Sequence, residues 1–553
     1  MTSGYTGHVA SSEWRWVILV SCMLIMLAFA PFLWIVLAAI DNTPWRFMGA
    51  LHDYQNSAVY LSEIFQGADG HWLTHFLQTP EPHGATLFNA IYAFLGQLSR
   101  LTGLPPVIMF HIGRAAASLF MYMAIYQMAA VIWVRLRTRR IFFLFAAVGS
   151  GFGWVLGVLM GNVTYLDLTS PEAFPFYSTL VNIHFPLAIA CLCLFASVVV
   201  TAFKPGMSET PGAQNGGGII FLLSISLVFV YPLALISAAL AFLVYLLIYS
   251  YQQRRFGERE WRWLLWFSVP ALPVLAYYLA VLIYNPVISG IYHQENAIPP
   301  AAPWIFVLSF GLPLLIALPG LWRGVRKFEA YGDQFMLVWL LVMVALVYLP
   351  TGVQQRFVVG IMIPIAYFAT RAIEDFWFQR INRRWRYRIL VGLIPLLAGS
   401  HFFVLFLPTR PIVSAELRSK SGLVLERDYV GAFEWLKDRL LPGDVVLASP
   451  NTSLWLPSRT GGRIVYGHPN MTLEGGGKRR AVLDWYGSET MDNCLPLLNG
   501  DISAEGNYTV RYVIVGPQEN QIGKSPCIEL LEEVQQFGSV TLYLYVPILS
   551  VIP

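Results

Sequence analysis

The feature that most constrains this chain is the recurrence of apolar runs long enough to cross a bilayer. They fall at 16–40, 105–134, 141–160, 183–203, 218–231, 233–250, 263–284, 304–322, 334–350, 357–373 and 389–407. About twenty apolar residues in a helix cover the hydrocarbon core. The expected fold is therefore a polytopic α-helical membrane protein with about eleven transmembrane helices. The 218–250 run is too long for one span, and Tyr231-Pro232 near its middle predicts two short helices with a break between them. Only 12% of the 553 residues are charged, against roughly a quarter in soluble domains. The net charge of +4 comes from short clusters between the runs, which excludes an extended basic surface for nucleic acid.

Those clusters set an orientation. Arg135–Arg140, Arg254 with Arg259 and Arg262, Arg323 with Arg326 and Lys327, and Arg380–Arg388 all fall on one side if the N-terminus is cytoplasmic. The expected location is the cell inner (plasma) membrane, multi-pass. Residues 41–104, 161–182, 285–303 and 350–356, and everything after Leu407, are then extracytoplasmic.

Two domains are expected. Residues 1–407 form the membrane domain, and its first outer loop, 41–104, carries helices over Tyr54–Phe65 and Ala85–Leu101 suited to the membrane surface. From Pro408 charges return and apolar runs shorten. Helix-like stretches (Asp428–Leu440, Lys478–Tyr486, Ile528–Phe537) alternate with strand-like ones (Val445–Ala448, Arg463–Tyr466, Val510–Val515, Val540–Val546). That alternation predicts a small α/β domain over 408–553. Cys494 and Cys527 lie in it, and an oxidising compartment makes them a candidate disulfide. Gly475-Gly476-Gly477-Lys478 is not a phosphate loop, because Thr472 and Arg479 occupy positions that need Gly and Ser/Thr.

The outer stretches hold the residues able to do chemistry. The first loop has the acids Asp41, Asp53, Glu63 and Asp69, and the 161–182 loop has Asp167 and Glu172. His184 opens one span, where it can meet a phosphate or be satisfied by a neighbouring carbonyl. Gln355 and Arg356 open another. An arginine at an outer span end runs against the usual charge bias, and its guanidinium matches phosphate oxygens as a fork. Its two readings are an anchor to lipid phosphate and a hold on the phosphate of a lipid-linked substrate. Arg114 lies inside a span, where an ionisable group is either functional or buried in a structural pair.

Tyr60-Leu61, Gln66-Gly67, Gly70-His71-Trp72, Thr79-Pro-Glu-Pro-His83, Leu95-Gly96, Gly149-Ser-Gly-Phe-Gly-Trp154, Pro171-Glu-Ala173, His184-Phe185, Gln355-Arg-Phe357 and Tyr466-Gly-His468 follow one another over most of the chain. With the eleven-span layout, this pattern resembles the GT-C superfamily of integral-membrane glycosyltransferases, and within it glycosyltransferase-39-like bacterial multi-pass proteins. The resemblance implies inverting transfer of a sugar from a polyprenyl-phosphate donor to an acceptor on the outer face. A first-loop acid would act as general base, and Arg or His would stabilise the leaving phosphate. In the family that acid stands four residues before a tyrosine like Tyr60. Here the position is Asn56, which cannot act as a base. Asp53, Asp41, Asp167 and Glu172 are the alternatives, with His184, Arg356, Gln355, Arg114 and Tyr60 as substrate-binding candidates. The other reading is a catalytically silent GT-C-like subunit that binds lipid or scaffolds a membrane-protein complex. Some members of the superfamily use a divalent metal; the acids here are too scattered in sequence to define a ligand set. The partners implied are membrane lipid, a polyprenyl-phosphate sugar and other membrane proteins.

Overall fold

The computed structural model describes residues 7–38, 44–161, 163–204, 216–254, 257–297, 299–329, 332–414, 418–491, 494–502 and 508–547. Asp41 lies outside the described residues. Among those described, nine helices are long and apolar enough to cross a membrane, and two shorter apolar helices, Gly217–Val230 and Asp333–Tyr348, join them. The eleven segments match the eleven expected runs one for one. The break at Pro232 is present: Tyr231 is extended (φ −159°, ψ 88°), and Pro232 starts the next helix, where its missing N–H costs nothing.

The chain forms two compact units. The first comprises Met1–Ala30, Ile112–Tyr277 and Ile298–Leu407. Its interior is aromatic and aliphatic, with Trp263, Trp339, Tyr122, Tyr126 and Tyr367 fully buried. One expected span is not continuous. It consists of helices Leu136–Val148 and Gly153–Met160, separated at 149–152. A broken helix survives only if the freed backbone groups find partners, and here they do. Ser150 N donates to Leu397 O at 2.7 Å and Phe152 N to Leu308 O at 3.0 Å. Gly151 N and Gly153 N donate to Asp167 Oδ2 at 3.1 and 2.9 Å. A second irregularity packs on the first. Within Pro303–Lys327, Gly311 has φ 29° and ψ −115°, and a Cβ there would lie 2.9 Å from Phe152 N.

The second unit comprises Pro31–His111, Tyr278–Ala297 and Pro408–Pro553. The first loop thus groups with the tail, and the chain passes from one unit to the other at Leu407–Pro408. The reason is long-range pairing. Strand β1, Trp45–Phe47, runs antiparallel to β2, Val424–Glu426, with Trp45 opposite Glu426. The two loop helices are Tyr54–Ala68 and Ala90–Thr102. They approach through Gly67 and Gly96, where a Cβ on either would run into the other helix's backbone. The 285–303 segment contains a third helix, Pro286–Asn296, capped by Asn285 Oδ1, which accepts from Ile288 N at 3.1 Å. Val287, Ile288 and Ile291 of this helix pack on Val59, Phe76, Met471 and Leu473.

The tail holds a five-stranded sheet of β3 (Val445–Leu447), β4 (Arg463–Ile464), β5 (Val510–Val515), β6 (Glu532–Phe537) and β7 (Val540–Leu544). The order is β4-β3-β5-β7-β6, with β3 parallel to β4 and β5 and the remaining pairs antiparallel. Helices Asp428–Lys437 and Gly475–Gly487 agree with expectation. Ile528–Phe537 does not: it is a short 3₁₀ turn followed by β6. Gly538 and Ser539 close a two-residue hairpin in which Phe537 faces Val540, with Gly538 at φ 55°. A Gly-Ser pair is a hairpin-turn signal, and it overrides the helical spacing upstream. The Cys494–Cys527 disulfide is formed, with Cα atoms 5.3 Å apart.

Candidate functional site

Four of the sequence candidates come together in the first unit. Glu172 sits in the Pro171–Ala173 turn, His184 starts the His184–Ala202 helix, and Gln355 and Arg356 lie in the Gln354–Val358 turn. Gly360 N donates to Glu172 O at 2.8 Å, and Gln355 Nε2 donates to Ser170 Oγ at 3.4 Å, so the two turns are stitched together. Tyr231, at the helix break, donates its hydroxyl to Arg356 O at 3.4 Å and stacks on the His184 imidazole, with centroids 6.0 Å apart. Three segments that sequence reasoning assigned to one face of the membrane thus converge. Glu172 is buried and Arg356 partly exposed. Burial pushes the Glu172 carboxyl up, and the Arg356 guanidinium pulls it back toward the ionised form. The Arg356 guanidinium thus acts through its charge on both the buried Glu172 carboxyl and the His184 imidazole. Such a group can take an oxyanion.

Asp167 and Arg114 have other partners. Asp167 is fully buried, and its Oδ2 accepts from Gly151 N, Gly153 N and Ser400 Oγ, which ties it to the broken helix. Burial raises its pKa to about 6, against the pull of those three donors. Arg114 is buried, and among the described residues it has no acid partner. Its Nη1 donates to Leu180 O at 2.8 Å, and its guanidinium lies 4.1 Å from the Phe29 ring centroid.

Asp53 and Tyr60 belong to the second unit. Asp53 is the N-cap of the 54–68 helix, in the left-handed region at φ 48° and ψ 43°. That conformation is uncommon outside glycine, although Asp adopts it more readily than most residues. Asn56 Nδ2 donates to Asp53 Oδ1 at 2.7 Å. The residue in place of the expected acid is therefore tied to the Asp53 carboxylate. Tyr60, two turns further along the helix, stacks flat on Tyr92 at 4.2 Å and is buried.

Two burials go beyond the sequence reading, which named these residues without placing them in the interior. Glu63 is 2% exposed; its Oε1 accepts from Asn89 Nδ2 at 2.8 Å, and its Oε2 has no hydrogen-bond partner. Burial pushes its pKa to about 8, with Glu295 adding to the shift. The signal was an acid set among Val59, Tyr60 and Ile64 on the buried face. The second is a buried ion pair between Glu81 of the Thr79–His83 motif and Lys478 of the glycine run. Lys478 Nζ also donates to Leu473 O at 2.7 Å, and Arg463 Nη1 donates to Glu81 O at 3.1 Å. Among the described residues no three His, Cys, Asp or Glu are placed to hold a metal ion.

No protein-family model matches the sequence, and no characterised protein matches it at the sequence level. Solved structures do match the fold. ArnT from Cupriavidus metallidurans in the apo state superposes with a TM-score of 0.53 at 12% identity, covering 97% of this chain and 99% of that one. The same protein has been solved bound to undecaprenyl phosphate. The Archaeoglobus fulgidus oligosaccharyltransferase tethered with an acceptor peptide gives 0.52 at 12% identity, covering 95% of this chain and 72% of that one. Arabinofuranosyltransferase AftD from Mycobacteria gives 0.51 at 14%, covering 98% of this chain and 42% of that one. This chain therefore shares its fold with these three proteins.

Proposed function

We propose that the chain is an inverting glycosyltransferase that moves a sugar from a polyprenyl-phosphate donor to an acceptor at the outer face of the plasma membrane. The observation that carries this reading is the convergence of Glu172, His184 and Arg356 in a GT-C fold. Arg356 holds the donor phosphate, Glu172 acts on the guanidinium through its charge, and His184 and Gln355 line its approach. Asp53 takes the proton from the acceptor hydroxyl. The acceptor oxygen then bonds to the anomeric carbon, and the carbon–oxygen bond to phosphate breaks. The electron pair leaves on the polyprenyl phosphate, beside Arg356. Tyr60 shapes the first loop, and the tail engages the acceptor or a partner protein.

The runner-up is a catalytically silent subunit. It is favoured by Asn56 in place of the expected acid. A polyprenyl-phosphate analogue with a photoreactive group next to the phosphate tests the donor assignment in the full chain reconstituted in lipid. The expected result is labelling within 171–184 or 354–358, abolished by excess natural polyprenyl phosphate. Labelling confined to other segments, or untouched by competitor, contradicts it.

A further inference from the structure

The second unit contains a cavity of about 300 Å³ that no step of the proposed transfer uses. Its wall is built from several elements. Arg46 comes from β1, Leu61 and Phe65 from successive turns of the 54–68 helix, and Arg459 from the short helix Pro457–Thr460. The 428–437 helix lines it with Val430, Phe433, Glu434 and Lys437, the spacing of one helical face. The volume is at the lower end for small-molecule sites, and the mixture of apolar walls with a few charged groups is usual for them.

The charges are unbalanced. Arg46, Arg459 and Lys437 face one acid, Glu434. Arg459 donates one Nη2 hydrogen to Met48 O at 2.7 Å, which fixes the guanidinium plane. Burial lowers the Arg459 pKa, and the Arg46 charge lowers it further. The Lys437 ammonium lies 5.5 Å from the Phe65 ring centroid, so one cation sits against an apolar face of the cavity. Two mutually repelling guanidiniums and an ammonium around a void favour a bound oxyanion, which would relieve the repulsion and complete the arginine forks.

We propose that this cavity binds a phosphate group carried next to an apolar moiety, with Arg46, Arg459 and Lys437 on the phosphate and Leu61, Phe65 and Phe433 on the apolar part. Such a group can come from a soluble phosphate ester or from a lipid headgroup. The site shares no residue with the Glu172–His184–Arg356 group and does not depend on transfer activity.

The test is equilibrium binding to the purified full chain in detergent, with phenyl phosphate, inorganic phosphate, phenol and short-chain phosphatidic acid as probes. Phenyl phosphate is expected to bind about tenfold more tightly than inorganic phosphate, and phenol not at all, since each 1.4 kcal/mol is a factor of ten. Arg46→Gln and Lys437→Gln, both at exposed side chains, are each expected to weaken phenyl phosphate about tenfold. Unchanged thermal midpoints show that these variants are folded. Phosphatidic acid binding more tightly than phenyl phosphate assigns the lipid source; equal or weaker binding assigns the soluble one. Absence of phenyl phosphate binding to the wild type, or equal affinity in the wild type and both variants, overturns the proposal.

Discussion

Glu63 carries a cost that can be measured. Its carboxyl is held up to about 8 by burial and by Glu295, so it is neutral in the folded chain at pH 7 and ionised in the unfolded one. The folded state then binds more protons between the ordinary carboxylate range and about pH 8, and stability falls as pH rises through that window. The slope approaches ~1.4 kcal/mol per pH unit for one group. Glu63→Gln keeps the acceptor for Asn89 and removes the titration. It is expected to raise the thermal midpoint at pH 8 and to flatten its pH dependence. A variant with the wild-type slope would show that Glu63 is not the titrating group. Asp53 and Arg356 act at the same scale with the opposite signature. Their loss should remove activity while leaving the midpoint nearly unchanged, because Asp53 is half-buried and Arg356 partly exposed.

At the scale of elements, the broken helix and the acid that holds it form one device. Asp167 offers Oδ2 to two backbone N–H groups and a serine hydroxyl. Asp167→Ala removes that acceptor and leaves two buried N–H groups and a serine hydroxyl without it. It is expected to destabilise the chain by about 1–3 kcal/mol, read as a lower unfolding midpoint. Activity per folded molecule should hold; a selective loss of turnover in a fully stable variant would return Asp167 to the catalytic set. The break was half legible. Gly149, Gly151 and Gly153 permit close packing, but the partners Leu308 and Leu397 are more than a hundred residues away in sequence. Apolar runs were legible because length and composition are local properties. The β6 strand was not, because Glu532–Phe537 owes its conformation to β7 across a two-residue turn. Membership of the first loop in the second unit was invisible for the same reason, since it follows from pairing of β1 with β2.

For the molecule as a whole, the orientation rests on four basic clusters and predicts that the tail lies in an oxidising compartment. The Cys494–Cys527 pair reports on this directly. Thiol alkylation in intact cells followed by mass spectrometry should find both cysteines protected until reductant is added, whereas free thiols in freshly lysed cells would place the tail on the cytoplasmic side. Replacing both by serine opens a link across 33 positions and is expected to lower stability by roughly 3–4 kcal/mol on the chain-entropy account. Of the candidate site, sequence found the residue types and segments. It did not find that Asn56 would hold Asp53, or that Tyr231 would meet both His184 and Arg356, because side-chain meetings across turns have no local signature. The most direct test of the account is turnover in lipid nanodiscs supplied with labelled polyprenyl-phosphate sugars, following release of free polyprenyl phosphate. The account predicts release by the wild type with at least one donor, and a loss of about a hundredfold or more in both Asp53→Asn and Arg356→Ala. No release from any donor, or full activity in either variant, would contradict it.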